Sequence, residues 1–262
     1  STQACGKLEF VTCTLIYQAD GTMRSYGQYC GLARSLEVVG DRWNLLIVRQ
    51  LLIAPARYRD LIDGLPGIAT NLLANRLRDL EASGVVERRL TSEGSAVEYV
   101  LTPWGAELRQ PIESLIRWST PLMVRGPEGD SFRVEWLALA VPALLDARVK
   151  VRPSATVGLE MGNETFQLLA TSSGFEIGPH DGRELDATVR ADPSYVLGLA
   201  AGALTLSDAR TLGLIEIDGD RRTVHEVVGE TDGKLDTDLV LDPHQRSLHV
   251  RLAGREPATL SL

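Results

Sequence analysis

The hydrophobic pattern is clearest between residues 58 and 101, where its period changes from that of a helix to that of a strand. Two segments, 58–63 and 70–83, carry apolar residues at helical spacing, and the run GLPG at 64–67 separates them. Leu73, Leu77 and Leu80 mark the apolar face of the second segment, and Gly84 follows where a helix C-cap is expected. Residues 86–90 and 98–101 then alternate around a polar tip at 91–96. The pattern predicts two helices followed by a β-hairpin.

This order of elements is typical of a winged helix-turn-helix, whose second helix fits the major groove of DNA. With its leucines turned inward, that helix offers polar side chains on its other faces. Asparagine pairs bidentately with adenine, and arginine pairs with guanine or with a phosphate. We therefore predict base readout by Thr70, Asn71 and Asn75. The predicted phosphate contacts are Arg59, Arg76, Arg78 and Arg88.

Two alternatives stay open for these residues. In the first, the polar side chains of 70–78 form a solvated helix face. In the second, Thr70 caps the helix and does not contact DNA. The wing tip at 92–96 lacks basic side chains, so wing contacts are predicted only near its base, at Arg88 and Arg89.

Residues 29 to about 123 resemble the HxlR-type branch of winged-helix transcriptional regulators. The resemblance is carried in order by Cys30, LEVVGDRWNLLI (36–47), YRDL (58–61), LPGI (65–68), LANRLRDLE (73–81), GVVER (84–88) and VEYVLT (97–102). It implies a homodimer that binds double-stranded operator DNA. It also implies that the long helix after the wing forms the dimer contact.

Apolar spacing predicts further helices at 29–39, 43–52 and about 102–124. The last of these has Thr102 as its N-cap and Pro111 as a kink or an internal boundary. The leader at 1–22 contains one predicted strand and is either an expression remnant or an added strand. The run 126–133 predicts a linker. The predicted organisation is a leader (1–22), a DNA-binding and dimerisation domain (23–125), a linker (126–133), a ligand-binding domain (134–230) and a β-like tail (231–262).

The second half mixes helical and strand patterns, so the predicted fold class of the chain is α+β. Helices are predicted at 136–149, 195–201, 207–212 and 221–228, with 213–220 separating the last two. Strands are predicted at 155–161, 164–171, 174–177 and 187–191. The tail adds strands at 238–241 and 247–252.

Residues 134–228 are similar to the sterol-carrier-protein type of lipid-binding domain, through ATVRAD (187–192), LGLAAG (197–202) and GLIEIDGD (213–220). The resemblance implies a sheet covered by helices on one side, around an apolar cavity for a small hydrophobic ligand. Candidate lining residues are Trp136, Leu139, Leu144, Phe166, Leu168, Phe175, Leu197 and Leu204, with Tyr195 as a polar anchor at the mouth. The alternative is that these side chains fill a packed core, since apolar spacing does not distinguish the two.

The two halves differ in charge. The whole chain has 27 basic and 35 acidic residues, a net charge of −8 that is unusual for a nucleic-acid binder. Residues 24–125 hold 13 basic and 11 acidic residues (+2), whereas 126–262 hold 13 basic and 22 acidic residues (−9). Phosphate contacts require only local positive charge, so the first half stays the candidate DNA-binding region. Because the excess of positive charge in residues 24–125 is small, we expect the chain to bind DNA as a dimer.

The sequence carries no recognisable catalytic or metal-binding pattern. Cys5, Cys13 and Cys30 are too few for a disulfide framework or a zinc site, and the four histidines lack ligand spacing. A nucleophile elbow, a phosphate-binding loop and a dinucleotide fingerprint are all missing from the sequence. We expect no enzyme activity, no cofactor, no transmembrane segment and a cytoplasmic location.

Cys30 carries a separate hypothesis. It lies at the predicted start of the first helix, with Arg34 one turn on, where a helix N-terminus and a cation would stabilise a thiolate. Some HxlR-type regulators use a cysteine near this position as a redox or electrophile sensor. We expect a buried, inert thiol here and keep the sensor as the alternative.

The predicted function is a DNA-binding transcriptional regulator whose second domain senses a small hydrophobic ligand. Ligand binding would change the spacing of the two recognition helices in the dimer and so change the DNA affinity. One alternative is a redox- or electrophile-sensing regulator that acts through Cys30. Another is a lipid carrier whose winged helix does not bind DNA.

Overall fold

The computed structural model describes residues 25–91, 94, 96–123, 129–150, 153–229, 239–241 and 248–250. Packing divides the chain into two compact units, and the division falls between Leu108 and Arg109. Both units combine helices with strands, which confirms the α+β class. The strand predicted in the leader at 1–22 lies outside the described residues.

The first unit is built from short helices and one antiparallel hairpin. Its elements are α1 (Gly31–Val39), α2 (Asn44–Ile53), α3 (Tyr58–Gly64), α4 (Thr70–Ala82), β1 (Val86–Leu90), β2 (Val97–Leu101) and α5 (Pro103–Ala106). In the hairpin Val86 pairs with Leu101 and Leu90 pairs with Val97. The predicted helix-turn-helix and wing are confirmed, with helix ends shifted by one or two residues.

The leucine periodicity of α4 sets its orientation in the first unit. Leu73, Leu77 and Leu80 are fully buried, as are Ile47 of α2 and Leu61 of α3. Burial of such a side chain contributes about 1.5–3 kcal/mol, so the leucine face holds α4 against the unit and leaves its opposite face exposed. After α4, Gly84 has φ +75°, a left-handed conformation that suits glycine and leads the chain directly into β1.

The long helix predicted at 102–124 is in fact two helices. Thr102 caps α5 as predicted, because its hydroxyl oxygen accepts the Gly105 N–H at 3.0 Å. The second helix, α6, spans Arg109–Met123. The break therefore precedes Pro111, which lies in the first turn of α6, where a missing N–H removes no intrahelical hydrogen bond.

The second unit is a five-stranded sheet with helices. Its elements are a 3-10 turn (Val134–Trp136), α7 (Leu137–Arg148), β3 (Ala155–Met161), β4 (Glu164–Thr171), β5 (Gly174–Pro179), β6 (Ala187–Ala191), α8 (Pro193–Ala201), α9 (Leu206–Thr211), β7 (Ile215–Gly219) and α10 (Arg221–Val228), besides α6. The strand order is β5-β4-β3-β6-β7, and only the β3–β6 pair is parallel. In the tail β8 (Leu239–Leu241) pairs with β9 (Leu248–Val250).

One face of the sheet is apolar, and its residues form the core of the second unit with helices α7, α8 and α10. Val157, Leu159 and Val189 lie on this buried face, while Glu160 and Arg190 lie on the opposite, polar face. The sequence predicts residues 213–220 only as a separator between two helices, and this prediction is incomplete because the segment contains strand β7. It forms the edge of the sheet beyond β6.

The predicted linker at 126–133 does not coincide with the division between the units. Helix α6 groups with the second unit because it packs along α7, where Arg117 Nη1 donates to the Ala143 carbonyl at 3.4 Å. Residues 126–128 of that linker lie outside the described part of the chain. In the part that is described, every helix is too short or too polar to cross a bilayer.

Candidate nucleic-acid interface

Helix α4 presents a polar stripe on the face opposite its leucines. Asn71, Asn75 and Arg78 are exposed and follow one another at spacings of four and three residues, which places them on one side of a helix. Leu73 and Leu77 lie on the other side and are buried. The stripe therefore occupies the face that the second helix of a helix-turn-helix turns towards DNA.

Local hydrogen bonds order the side chains of this stripe. The Asn71 Oδ1 accepts the Leu72 N–H at 2.9 Å, and Arg78 donates to the Asn75 Oδ1. Arg78 Nε also donates to the Ala74 carbonyl at 3.3 Å. Because these bonds engage the carbonyl oxygens of both asparagines, the amide NH₂ groups are the donors available to a base acceptor such as adenine N7.

Thr70 is the first residue of α4 and does not cap it. The N-cap is Ala69, which offers no side-chain hydrogen bond. The alternative that Thr70 serves as the cap is therefore wrong. The Thr70 carbonyl accepts the Tyr58 hydroxyl at 2.5 Å, which joins the start of α3 to the start of α4. The Thr70 side chain is exposed at the end of α4 that would meet the bases.

Arg76 is placed differently from the other predicted contacts. Its guanidinium donates to the carboxylate of Asp41, in the turn between α1 and α2, and to Asp79 at 3.0 Å. The Arg76 side chain is only 23% exposed. Two carboxylates already neutralise this arginine, so the arrangement favours a role in holding α4 in place over a contact with phosphate.

The remaining predicted phosphate contacts, Arg59 and Arg88, are exposed. Arg88 donates to Glu81 at 2.8 Å across the base of the wing, and this bond raises the pKa of Arg88. Arg59 on α3 forms no ion pair with any other described residue, so its charge is open to a partner. Arg89, beside the wing base, is paired with Glu87. Wing-tip residues 92, 93 and 95 lie outside the described residues.

Cys30 is exposed, so the expectation of a buried thiol is wrong. It is the N-cap residue of α1. The first N–H groups of a helix have no intrahelical acceptor and stabilise negative charge. Hydrogen bonds from the backbone of Ala33 and then Leu32 lower the pKa of the Cys30 thiol. Arg34, the cation expected beside it, pairs with Glu37 at 2.9 Å.

The predicted ligand-lining residues of the second unit, apart from Trp136 and Leu139, lie in or against its packed core. Leu139, Leu144, Leu168, Phe175 and Leu204 are buried, whereas Trp136, Phe166, Tyr195 and Leu197 are partly buried. The apolar cavity found there has a volume of about 30 Å³, and of the predicted set only Leu168 lines it. A drug-sized ligand occupies about 300–1,000 Å³, so an apolar ligand would require this core to open.

Comparison with known proteins identifies the first unit. A family model described as an HxlR-like helix-turn-helix matches residues 38–126. The HTH-type transcriptional regulator YodB of Bacillus subtilis is 33% identical over 86 residues, which cover 32% of this chain and 77% of YodB. The chain belongs to the HxlR-like helix-turn-helix family. A second relative, the HTH-type transcriptional regulator sll1512 of Synechocystis, is 36% identical over 87 residues, which cover 33% of this chain and 64% of sll1512.

Solved structures of transcriptional regulators match about a third of this chain. The reduced form of YodB shares 32% sequence identity with a TM-score of 0.32, and the match covers 35% of this chain and 92% of that one. YodB has also been solved after diamide treatment and bound to quinone. The family model ends at residue 126, so the sterol-carrier resemblance of the second half stays a prediction.

Two residues that organise the interface were not among the predicted site residues. Asp41 holds Arg76, and Tyr58 holds the first turn of α4. Both lie in the segments that carry the HxlR resemblance, but Asp41 and Arg76 are 35 positions apart. Hydrophobic periodicity contains no signal for such a pairing.

Proposed function

We propose that this HxlR-type protein is a homodimeric transcriptional regulator that binds double-stranded DNA through α4. The observation that carries the proposal is the exposed stripe of Asn71, Asn75 and Arg78, which lies opposite the buried leucines on the second helix of a helix-turn-helix. The relatives that share this segment are named as transcriptional regulators.

In the proposed complex the two asparagines read base edges and the arginines bind the backbone. Asn71 and Asn75 offer amide donors on consecutive turns, so they would contact neighbouring bases along the groove. Arg59, Arg78 and Arg88 would neutralise phosphates on either side of α4. Each of these contacts is electrostatic, so the affinity falls as salt is raised.

A second copy of the chain is the proposed partner for the exposed apolar face of α6. Trp118 and Leu122 are 75% and 73% exposed, and Leu115 lies on the same side of the helix. The residue spacing of 115, 118 and 122 forms a continuous stripe of the kind that packs against another helix. A two-fold dimer would present two copies of α4 to half-sites about 34–36 Å apart.

Binding to the DNA upstream of the protein's own gene tests the proposal by fluorescence anisotropy. Replacing Asn71 and Asn75 together with alanine should weaken binding at least about tenfold, because each lost amide hydrogen bond leaves a base acceptor unpaired in the interface, at about 1–3 kcal/mol. Asn163→Ala is the matched control, since Asn163 is an exposed asparagine in the β3–β4 turn of the second unit. Equal affinity of the double variant and the wild type would refute readout by α4. Absence of binding by the wild type would favour the lipid-carrier alternative.

Sedimentation velocity tests the dimer. The double variant Trp118→Arg with Leu122→Arg should sediment as a monomer, because two charges would be buried in the proposed interface. Leu90→Arg on β1 is the matched control, since Leu90 is also an exposed leucine. A double variant that stays dimeric would place the interface elsewhere.

A second candidate function is regulation through Cys30, and the exposure of this thiol with its lowered pKa is the observation that favours it. YodB, whose solved forms include a quinone-bound one, is a relative with 33% identity over 86 residues. Quinone or diamide treatment would then change the DNA affinity of the wild type and leave that of Cys30→Ser unaltered. An equal response of both proteins would exclude Cys30 as the sensor.

The ligand-sensing role of the second unit is a separate proposal that rests on the sterol-carrier resemblance. The core around Leu168 would have to open to admit an apolar molecule, since the cavity that Leu168 lines is only about 30 Å³. Native mass spectrometry of the protein purified from its host tests this by reporting any co-purifying hydrophobic molecule. Ligand that binds this unit without altering DNA affinity would disprove the coupling.

A further inference from the structure

The second unit carries a surface groove that none of the predicted functions uses. It has a volume of about 460 Å³ and lies where α9, the edge strand β7 and the start of α10 come together. Its lining consists of Ser207, Arg210, Thr211, Ile215, Glu216, Ile217 and Arg221. Concave sites of about 300–1,000 Å³ are the usual size for small-molecule ligands, whereas the apolar cavity in the core is far smaller.

Two arginines face this groove with their charges uncompensated. Arg210 and Arg221 are exposed, and neither forms an ion pair with another residue in the described ranges. The half of the chain that carries them has a net charge of −9, with 13 basic and 22 acidic residues. In this acidic half of the chain, two guanidinium groups without ion pairs make the groove a local site of positive charge.

Two acidic side chains, one in the groove lining and one at the start of α10, have other partners. Glu216 faces Arg190 on the polar side of the sheet, with 3.9 Å between their charged groups. Asp220 caps α10, where its carboxylate accepts the Arg222 N–H at 3.0 Å and the Thr223 hydroxyl at 2.8 Å. These bonds lower the pKa of Asp220, so it stays ionised in its capping role.

We propose that this groove binds a small organic anion, one that joins a carboxylate or phosphate group to a compact apolar body. Guanidinium groups bind both anions bidentately, so Arg210 and Arg221 would hold the charged group. Ser207 lies one helical turn from Arg210 on the same side of α9 and supplies a hydroxyl donor. Thr211 donates its proton to the Ser207 carbonyl at 2.9 Å, so it contributes only an acceptor. Ile217, which is partly buried, supplies an apolar wall beside Ile215, whose side chain lies in the core.

The binding site so assigned is independent of DNA recognition, since every residue in it belongs to the second unit. It also differs in chemistry from the apolar site predicted in the core. An effector that binds here is recognised by its charge, and its affinity falls as ionic strength rises.

Isothermal titration calorimetry of the full chain with phenyl phosphate, benzoate and benzyl alcohol tests the proposal. The three probes share an aromatic body and differ in charge. We expect saturable binding of at least one anion and none of the alcohol, and the tighter anion identifies the preferred charged group. The variant Arg210→Gln with Arg221→Gln should lose about tenfold or more in affinity.

Arg222→Gln is the matched control, because Arg222 neighbours the site in sequence but is exposed and paired with Glu226 at 2.8 Å. It should bind the anion as the wild type does. Circular dichroism and thermal melting check that the double variant is folded, which is expected because both replaced side chains lie on the surface. Failure of both anions to bind would overturn the proposal, as would equal affinity in the double variant.

Discussion

Arg76 of the recognition helix α4 donates to the carboxylate of Asp41, in the turn that joins α1 to α2. This pair joins α4 to that turn, and a second pair, in which Arg88 donates to Glu81 at 2.8 Å, joins α4 to the base of the wing. We therefore propose that Arg76 is a positioning residue for the exposed stripe of Asn71 and Asn75. The position of Arg76 in the sequence of α4 is, by itself, equally compatible with a contact to phosphate.

Replacing Asp41 with asparagine distinguishes these two roles of Arg76. If Arg76 positions α4, Asp41→Asn weakens DNA binding by up to about fivefold, as expected for loss of a partly exposed ion pair. The slope of log affinity against log salt should stay unchanged, because no phosphate contact is lost. Fluorescence anisotropy over a range of salt concentrations measures both quantities. Tighter binding by Asp41→Asn would instead identify Arg76 as a phosphate contact released from its partner.

Replacing Arg59 with alanine should change the salt dependence of DNA binding, in contrast to Asp41→Asn. Its side chain is exposed on α3 without an ion pair in the described residues, so we assign it to a phosphate. Loss of one phosphate contact weakens binding to all DNA sequences alike and lowers the magnitude of the salt slope by about 1. Arg222→Ala in the second unit serves as a control for the change in net charge. A salt slope equal to that of the wild type would remove Arg59 from the interface.

The reactivity of Cys30 should depend on the folded state of α1. The backbone N–H groups of Ala33 and Leu32 lower the pKa of this thiol in the folded protein, and unfolding removes them. The test measures the rate of iodoacetamide alkylation as a function of pH, in a variant with Cys5 and Cys13 replaced by serine. The pH at the midpoint of the rise in rate should be lower for the folded protein than for the protein unfolded in urea. The two midpoints would coincide if the helix N-terminus did not stabilise the thiolate.

Gly105 is required by close packing between α5 and the chain leading into β1. A β-carbon at this position would lie 2.1 Å from the Val85 carbonyl oxygen, which is a backbone atom and cannot rotate away. We expect Gly105→Ala to destabilise the first unit by about 1–3 kcal/mol, measured by urea unfolding. Gly31→Ala in α1 is the control, since nothing lies within 4 Å of the added carbon, and it should be neutral or slightly stabilising. Equal midpoints for the two variants would contradict this account.

The elements of the first unit follow from local patterns in the chain. The period of Leu73, Leu77 and Leu80 predicts both the helix and the face that it buries, because only one orientation removes all three from water. The wing follows from the change to alternation after Gly84. The missed strand β7 shows the limit of this reasoning, because Ile215 and Ile217 are the only alternating apolar pair in a five-residue strand that ends at Gly219.

The candidate site depends more strongly on tertiary structure than the helices and strands of the first unit do. Asn71, Asn75 and Arg78 are predictable because they share a face within one helix. Neither the pairing of Arg76 with Asp41 nor the exposure of Cys30 is visible in local pattern, since each depends on segments distant in sequence. The groove with Arg210 and Arg221 arises in the same way, from three elements that only the folded sheet brings together.

The sequence by itself determined the helix-turn-helix, its wing and the polar face of α4, because these depend on side-chain spacing within single elements and on the turns between them. Tertiary structure alone decided which arginines keep a free charge, which thiol is exposed and where a ligand-sized space exists. Those properties depend on distances between residues far apart in the chain, and packing sets those distances without leaving a periodic trace in the sequence.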